Sequence, residues 1–185
     1  MVTLRKAAAY SKRPARPYTR ISKKKSKSYI KSVPPQKIVK FSMGLRGAFD
    51  EGKLPLTLTL VTDENVQIRH NALEACRQYI NKKMEEGTSG QFFFRVIVFP
   101  HHIQREHRML TGAGADRMSS GMVLSFGKAM GKAAMLRKGG RIFFVAVANQ
   151  KALKLVRETY KEVRSKLPCT TKAIFEEVKA VPVVA

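Results

Sequence analysis

The sequence predicts an α+β fold in which one mixed or antiparallel sheet carries two helices on one face. Three observations lead to this prediction. Short apolar runs with a period of two residues occur beside only two long segments of helical period. Their order along the chain is strands, helix, strand, a long insertion, strand, helix and strand. A hydrophobic content of 44% in 185 residues is ample for one core, so we expect one domain with an extension.

The first half of the predicted core contains two strands and one helix. A short strand is predicted over residues 37–43, a turn-rich connection over 44–52, and a half-buried strand over 54–61, where leucines recur at every second position. Thr62 or Asp63 is the expected N-cap of the first helix. The apolar residues of this helix are Ile68, Ala72, Ala75 and Tyr79 in one row, joined by Leu73, Cys76 and Ile80. The helix is expected to end near Gly87.

Two apolar strands frame the second half. The run over residues 91–99 is apolar on nearly both sides, which predicts a central strand covered on both faces. The run over 140–147 is the second such strand. A helix follows, because its apolar residues alternate at spacings of three and four: Leu153, Val156, Tyr160, Val163 and Leu167. Its outward residues are basic: Lys151, Lys154, Arg157 and Lys161. A last strand is predicted over 170–178.

The predicted strands over residues 91–99 and 140–147 are separated by a long loop over residues 101–139, within a core domain of residues 36–178. An insertion of this length is normally disordered or functional. It contains only two acidic residues, Glu106 and Asp116, and its glycines let the backbone approach RNA and bind phosphate. The basic residues in and beside it are Arg105, Arg108, Arg117, Lys128, Lys132, Arg137, Lys138 and Arg141. We interpret the segment as a nucleic-acid-facing loop; the alternative is a loop under no constraint.

The net charge of +23 predicts a polyanionic partner, and nucleic acid is the commonest. Residues 1–40 contain thirteen Lys or Arg and no acidic residue. We interpret residues 1–35 as an extension that is disordered when free and becomes ordered on RNA. The alternative is a solvated or targeting tail. Candidate RNA-binding residues in the extension are Arg13, Arg16, Tyr18, Arg20, Lys23, Lys24 and Lys25. Residues 179–185 are predicted to be a short tail.

Membrane and secretory locations are not supported by the sequence. No apolar run approaches the roughly 20 residues that span a bilayer, and the basic N-terminus lacks the apolar segment of a signal peptide. The two cysteines, Cys76 and Cys169, fit a reducing compartment and an inert structural role. We therefore expect no membrane partner.

Nucleotide and metal motifs are incomplete. Gly112 and Gly114 resemble part of a dinucleotide-binding turn, but Arg117 occupies the third glycine position. Gly127 and Lys128 lack the upstream glycine and the following hydroxyl residue of a phosphate-binding loop. Three histidines in this region are His101, His102 and His107, and only Glu106 could join them as a metal ligand. Histidines in a basic loop are instead expected to contact RNA or to be exposed. No metal or other cofactor is predicted.

A catalytic reading of the loop is the remaining alternative. Ser119, Ser120 and Asp116 lie close in sequence, but the local positive charge suits anion binding better than proton transfer. The rival hypothesis is a basic enzyme that modifies or cleaves RNA with the region from His101 to Asp116.

Several motifs resemble the universal large-subunit ribosomal protein sixteen family, in its archaeal and eukaryotic branch. They are RPARPY at 13–18, ALEA at 72–75, RVIVFPHH at 95–102, and above all MLTGAGADRMSSGM at 109–122 followed by FGK at 126–128. The glycine–lysine pairs at 127–128 and 131–132, and GGRIF at 139–143, are similar to turns of bacterial relatives. The resemblance covers roughly residues 4–175. Residues 4–10 and 21–27 depart from the family pattern, and no long C-terminal extension follows, which favours an archaeal-like member.

The resemblance implies a non-catalytic, cytoplasmic, ribosome-bound protein with an α/β hammerhead-like fold. It implies binding to large-subunit rRNA between the central protuberance and the peptidyl transferase region, near the aminoacyl-tRNA site. The implied partners are this rRNA near 5S rRNA, tRNA and neighbouring ribosomal proteins. The loop over 108–121 is implied to point toward the peptidyl transferase centre. Its candidate residues are Thr111, Gly112, Ala113, Gly114, Ala115, Asp116, Arg117, Ser119, Ser120 and Gly121.

Overall fold

The computed structural model describes residues 32–106 and 128–177. Within these ranges the elements follow in the order β1 (Ser42–Gly44), α1 (Arg46–Asp50), β2 (Leu56–Thr62), β3 (Val66–Arg69), α2 (His70–Thr88), β4 (Phe92–Val96), β5 (His102–Glu106), β6 (Lys128–Leu136), β7 (Arg141–Val147), α3 (Gln150–Val163), a 3-10 turn (Arg164–Lys166) and β8 (Thr171–Glu177). The prediction of an α+β fold is confirmed.

The strands form two sheets rather than the single sheet expected. The larger sheet has the order β1-β4-β7-β2-β8, and the smaller one has the order β3-β6-β5. Every described ladder is antiparallel, so neither sheet is mixed in this part of the chain. The smaller sheet exists because residues 66–69, expected inside the first helix, form β3 and pair with β6. Here Val66 and Ile68 are buried and alternate with Gln67 and Arg69, the period of a strand.

The stretch over 101–139 is strand at both ends and not loop throughout. β5 pairs with β6 from His102 opposite Ala133 to Glu106 opposite Lys128. Residues 107–127, which join these strands, lie outside the described residues. The two strands therefore form a base from which the glycine-rich segment leaves and to which it returns.

Both long helices pack on one face of the larger sheet, as predicted. Ile80 of α2 and Val156 of α3 are fully buried in one cluster with Leu58 of β2, Phe94 of β4 and Val145 of β7. The apolar stripe predicted for α3 is buried. The stripe of α2 differs from the predicted row, because Ala75 is exposed. The buried apolar residues of α2 are Leu73, Cys76, Ile80 and Met84.

The opposite face is covered only in part. Phe49 of α1, in the connection predicted to be turn-rich, stacks on Phe93 with 5.2 Å between ring centroids. β4 ends at Val96, and Ile97 and Phe99 beyond it are exposed, so the prediction of a central strand covered on both faces holds only near Phe93. β7 is the central strand instead. All seven residues of β2 are buried, although alternation predicted a half-buried strand.

A close approach between β1 and β4 yields the first testable prediction. Gly44 has φ +82°, and a Cβ atom there would lie 2.1 Å from the carbonyl oxygen of Phe92. Because that oxygen also accepts a hydrogen bond from the N–H of Leu45 at 2.8 Å, it cannot move freely. We expect Gly44→Ala to lower the free energy of unfolding by about 2–4 kcal/mol.

Gly90→Ala is the matched control. Gly90 has a similar φ of +83°, but no atom of residues 32–106 or 128–177 lies within 4 Å of an added Cβ. Gly90→Ala should therefore lower the free energy of unfolding only by the cost of the backbone conformation, roughly 1–2 kcal/mol. Urea unfolding of the two variants measures the difference. Equal losses would show that the contact between β1 and β4 places no constraint on Gly44.

Candidate nucleic-acid interface

Six of the basic residues predicted to bind RNA lie in the described part of the chain. Lys128 and Lys132 belong to β6, and Arg105 is half-buried on β5. Arg137, Lys138 and Arg141 are exposed at the turn between β6 and β7. The others, Arg13, Arg16, Tyr18, Arg20, Lys23, Lys24, Lys25 and Arg108, lie outside the described residues, as does the whole loop over 111–121. The structure therefore places two groups of cations, one in the turn and one on the smaller sheet.

The first group, here called the basic turn, comprises Arg137, Lys138 and Arg141. Its backbone is clamped to the connection between β2 and β3. The N–H of Gly139 donates to the carbonyl of Thr62 at 2.7 Å, and the N–H of Lys138 donates to the side-chain oxygen of Asn65 at 2.9 Å. The turn thus presents its cations from a backbone that is held in place.

One carboxylate lies beside the basic turn. The Asp63 carboxylate forms an ion pair with Lys172 at 2.8 Å and a longer one with Lys138 at 3.7 Å. The hydrogen bond from Lys172 is the main reason that the pKa of Asp63 is lowered, and the charge of Lys138 adds to it. Thr62 and Asp63, which were expected to cap a helix, instead form this connection: the Thr62 hydroxyl accepts the N–H of Glu64 at 3.2 Å. Within the described residues neither Arg137 nor Arg141 forms an ion pair.

A further set of cations, here called the cationic junction, lies where the smaller sheet meets the start of α2 and shares Lys132 with the group on that sheet. It comprises Lys37, Arg69 and Lys132, which come from three separate segments near His70. Arg69 lies opposite Ala133 in the ladder between β3 and β6, next to Lys132. The charges of Lys37, Lys132 and Arg69 all act on the His70 ring. Only Lys132 of these four was predicted from the sequence.

A buried carboxylate brings Lys37 to the junction. Glu74, on the second turn of α2, accepts a hydrogen bond from the backbone of Val39 and two from Arg77, at 2.6 and 2.7 Å. These bonds, led by those from Arg77, lower the pKa of Glu74. Arg77 also contacts the sulfur of Met43 at 3.1 Å. The segment that enters the core is therefore held against α2, two residues after Lys37.

His70 is the most unusual residue of the junction. Its side chain is 2% exposed, and among the described residues its Nδ1 atom has no hydrogen-bond partner. Burial, and then the charges of Lys37, Lys132 and Arg69, lower its pKa to about 4. α2 has neither a side-chain cap nor an acidic residue in its first turn. Three cations thus lie near the positive end of a helix dipole, an arrangement that a bound anion would stabilise.

The smaller sheet buries a second histidine. His102 is as buried as His70, and burial lowers its pKa to about 4, so the expectation of an exposed or RNA-contacting histidine is wrong for this residue. Nearby, Gln104 donates to Gln67 at 3.4 Å. His101 is exposed, with Nδ1 3.2 Å from the carbonyl oxygen of Phe99. In residues 32–106 and 128–177, no three His, Cys, Asp or Glu side chains are grouped as metal ligands.

The cysteines have the environment of unreactive thiols. Cys76 is buried in the core, and burial raises its pKa to about 12. The thiol of Cys169 is half-buried, and its pKa is also raised, mainly by burial. A thiol that stays protonated is a poor nucleophile and a poor metal ligand. No helix within the described ranges is long and apolar enough to cross a membrane.

Comparison with known proteins identifies the family. The sequence model of the family described as ribosomal protein L16p/L10e matches residues 16–174. The chain belongs to this family. The resemblance inferred from the sequence motifs is therefore confirmed. Because the family and its archaeal relatives are ribosomal proteins, the prediction of a structural constituent rather than an enzyme is also confirmed.

The similar relatives are archaeal proteins named large ribosomal subunit protein uL16. The one from Archaeoglobus fulgidus is 39% identical over 174 residues, which cover 94% of each chain. The one from Methanococcus maripaludis is 40% identical, over 90% of this chain and 95% of the relative. The one from Thermofilum pendens is 41% identical, over 88% and 91%. These matches support the archaeal-like branch expected from the motifs.

The L16p/L10e match includes both groups of cations. It covers the cationic junction, the basic turn and the undescribed segment between β5 and β6. The junction was not predicted from the sequence, because Arg69 and His70 lie inside the stretch that was predicted to be one helix. A signal was available: the change from a two-residue period at Val66 and Ile68 to a helical period after His70.

The two buried histidines predict a pH dependence of stability. Their pKa values are near 4 in the folded chain and near 6.5 in the unfolded chain. Below pH 6.5 the unfolded chain therefore binds protons that the folded chain does not, so stability falls as the pH is lowered. Between pH 7.5 and 5.5 we expect a loss of about 1 kcal/mol for each histidine.

Urea unfolding at these two pH values measures the effect. His70→Gln and His102→Gln should each reduce the loss, whereas the exposed control His101→Gln should leave it unchanged. The chosen window lies above the range in which the carboxylates of Asp63 and Glu74, with lowered pKa values, contribute. Identical pH dependence in all four proteins would contradict the assignment.

Proposed function

We propose that this chain is a cytoplasmic, ribosome-bound constituent of the large ribosomal subunit that binds large-subunit rRNA with its cationic junction and basic turn. The observation that carries this proposal is the junction itself, where three cations from three segments lie beside an uncapped helix start without an acidic residue. The names of the archaeal relatives support the assignment to the large subunit.

The proposed ligand of the junction is an RNA phosphate. Arginine binds phosphate through a planar pair of N–H groups, and lysine does so as a point charge. Backbone N–H groups at a helix start add further donors. Contacts of this kind fix the position of a protein on RNA without reading the base sequence. The junction and the basic turn would therefore orient the chain, and the specific location would depend on RNA shape.

The finer location is also a proposal. We infer that the chain lies between the central protuberance and the peptidyl transferase region, near the aminoacyl-tRNA site and 5S rRNA, with its loop over 108–121 directed toward tRNA in the catalytic centre. The motif at residues 109–122 supports this inference, together with the basic extension over 1–35. The strands β5 and β6 supply a paired base for the loop.

RNA binding should depend on salt through the junction. Each phosphate contact contributes a slope of about 0.7 to 0.9 to the dependence of log affinity on log salt. We expect Lys37→Gln and Lys132→Gln each to lower the slope by roughly that amount. The measurement is binding of the full chain to a large-subunit rRNA fragment between low and physiological salt.

Lys53→Gln is the matched control, because Lys53 is exposed and paired with Glu51 at 2.6 Å, outside both groups of cations. A local readout adds specificity: RNA should shift the ring signals of His70 and leave those of His102 unchanged. If all three variants show the same slope as the unaltered chain, the junction does not contact phosphate.

Deleting residues 111–120 tests the role of the loop. The deletion removes no described strand or helix, and loop closure changes by only roughly 0.6 kcal/mol per doubling of length. We therefore expect nearly unchanged thermal unfolding and normal incorporation into subunits, but poor peptide synthesis. Arg117→Ala should show a milder defect, because one cation is lost while the loop backbone remains.

The three measurements are made on the same preparations. Normal peptide synthesis by subunits that contain the deletion would contradict the functional role of the loop. Loss of folding would show that the loop is part of the structural core. Loss of incorporation into subunits with normal folding would indicate that the loop acts in subunit assembly rather than on tRNA.

A further inference from the structure

The larger sheet has one open edge, at β8. Among the described strands β8 pairs only with β2, over seven residues. The other edge strand, β1, is only three residues long. Two apolar side chains of β8 are exposed, Ile174 by 45% and Phe175 by 41%. A long edge strand with exposed apolar residues is a template for pairing with another chain.

The backbone of this edge alternates in the direction of its polar groups. The carbonyl of Thr170 points toward β2 and accepts the N–H of Asp63 at 3.0 Å, whereas the carbonyl of Thr171 accepts a hydrogen bond from Arg164 at 2.6 Å. In an antiparallel ladder every second residue directs its N–H and C=O away from the partner strand. By this alternation Ala173, Phe175 and Glu177 direct these groups outward.

A groove lies between this edge and α3. Its volume is about 320 Å³, and its floor comprises Leu58, Leu60 and Tyr160, all almost fully buried. The Tyr160 hydroxyl donates to the carbonyl of Leu58 at 3.1 Å, so it offers no free proton to the groove. Ala173 and Phe175 form the wall on the side of β8. The floor and this wall suit an apolar side chain.

The opposite wall is cationic. Arg157, Lys161 and Arg164 line the groove at spacings of four and three residues, and therefore on one face of α3 and the turn that follows it. The guanidinium of Arg157 lies 5.9 Å from the centre of the Phe175 ring. At the far end of β8, Glu176 and Glu177 are exposed and would repel a phosphate chain running along the edge. An acidic peptide could pair with the cations while its backbone follows β8.

We propose that the groove between β8 and α3 binds an extended segment of another protein, which adds to β8 as a strand. Alternate side chains of the segment would face α3: an aliphatic one would enter the groove, and acidic ones two residues before and after it would pair with Arg157 and Lys161. Main-chain hydrogen bonds give such complexes their affinity, and the pockets for alternate side chains give specificity. The site is separate from the cationic junction and does not depend on RNA binding there.

The test uses the full chain and synthetic peptides of about ten residues, the length that covers a seven-residue edge strand. Among the residues of the probe that face α3, aliphatic and acidic side chains alternate, and the probe carries a fluorophore. One control peptide has the same charge, with proline at two aliphatic positions whose backbone N–H groups would donate to β8. A second has lysine at every acidic position. Proline cannot donate to a ladder, so the first control should bind at least roughly tenfold more weakly.

Protein variants locate the binding. Ala173→Tyr fills the groove from an exposed position without changing charge, and should abolish binding. Arg157→Gln and Lys161→Gln should each weaken binding roughly two- to fivefold, as expected for exposed ion pairs. The control Lys151→Gln removes one charge from α3 outside the groove and should change nothing. Unfolding curves establish that each variant is folded.

Three outcomes would overturn the proposal. The first is no binding of the acidic peptide, and the second is equal binding of the proline peptide, which would reveal attraction by net charge alone. The third is displacement of the peptide by oligouridylate of equal charge, with both ligands lost in Ala173→Tyr. That result would assign the groove to RNA.

Discussion

Residues Val66–Arg69 pair with Ala133–Leu136 of β6, and this short ladder controls the arrangement of the cations. It forces the chain to turn from strand to helix between Arg69 and His70. It also brings β6, the strand that leaves the undescribed segment, against the start of α2. The Lys132 backbone therefore lies next to that of Ala133, which pairs with Arg69, although more than sixty residues separate Lys132 from Arg69 in sequence. Without this ladder the junction would have no fixed geometry.

The junction brings several cations together in the described part of the chain. Like charges converge on the positive end of a 19-residue helix, and a buried histidine remains neutral among them. The surrounding structure holds the arrangement in place through the pair of Glu74 and Arg77 and through core packing of α2. Buried ion pairs of this kind contribute geometry more dependably than they contribute stability. A phosphate bound at the junction, as proposed, would offset the repulsion between these like charges.

The sequence predicted the packing of α3 and the order of most elements because their apolar residues repeat at the regular spacing of a helix or a strand. Leu153, Val156, Tyr160 and Val163 repeat at helical spacing and are buried as expected. It failed at β3, where a four-residue strand runs directly into a helix and its apolar residues continue the helical row. It also failed at β2, whose threonines are buried: Thr57 donates to the carbonyl of Glu176 at 2.7 Å, a contact that only tertiary structure provides. Composition predicted a polyanion partner but could not locate Lys37 and Arg69, because their proximity arises from long-range pairing.

The distribution of acidic residues separates two surfaces of the molecule. Between Glu106 and Glu158 the sequence contains a single acidic residue, Asp116. This stretch, poor in acidic residues, includes β6 and the basic turn, whose cations have few carboxylates to neutralise them. The second half of α3 and β8 differ, because cations there are mixed with Glu158, Glu162, Glu176 and Glu177. A surface that binds a phosphate backbone excludes carboxylates, whereas a surface that binds protein tolerates both signs. The two proposals therefore assign RNA to the surface poor in acidic residues and a protein strand to the edge at β8, where both signs of charge occur.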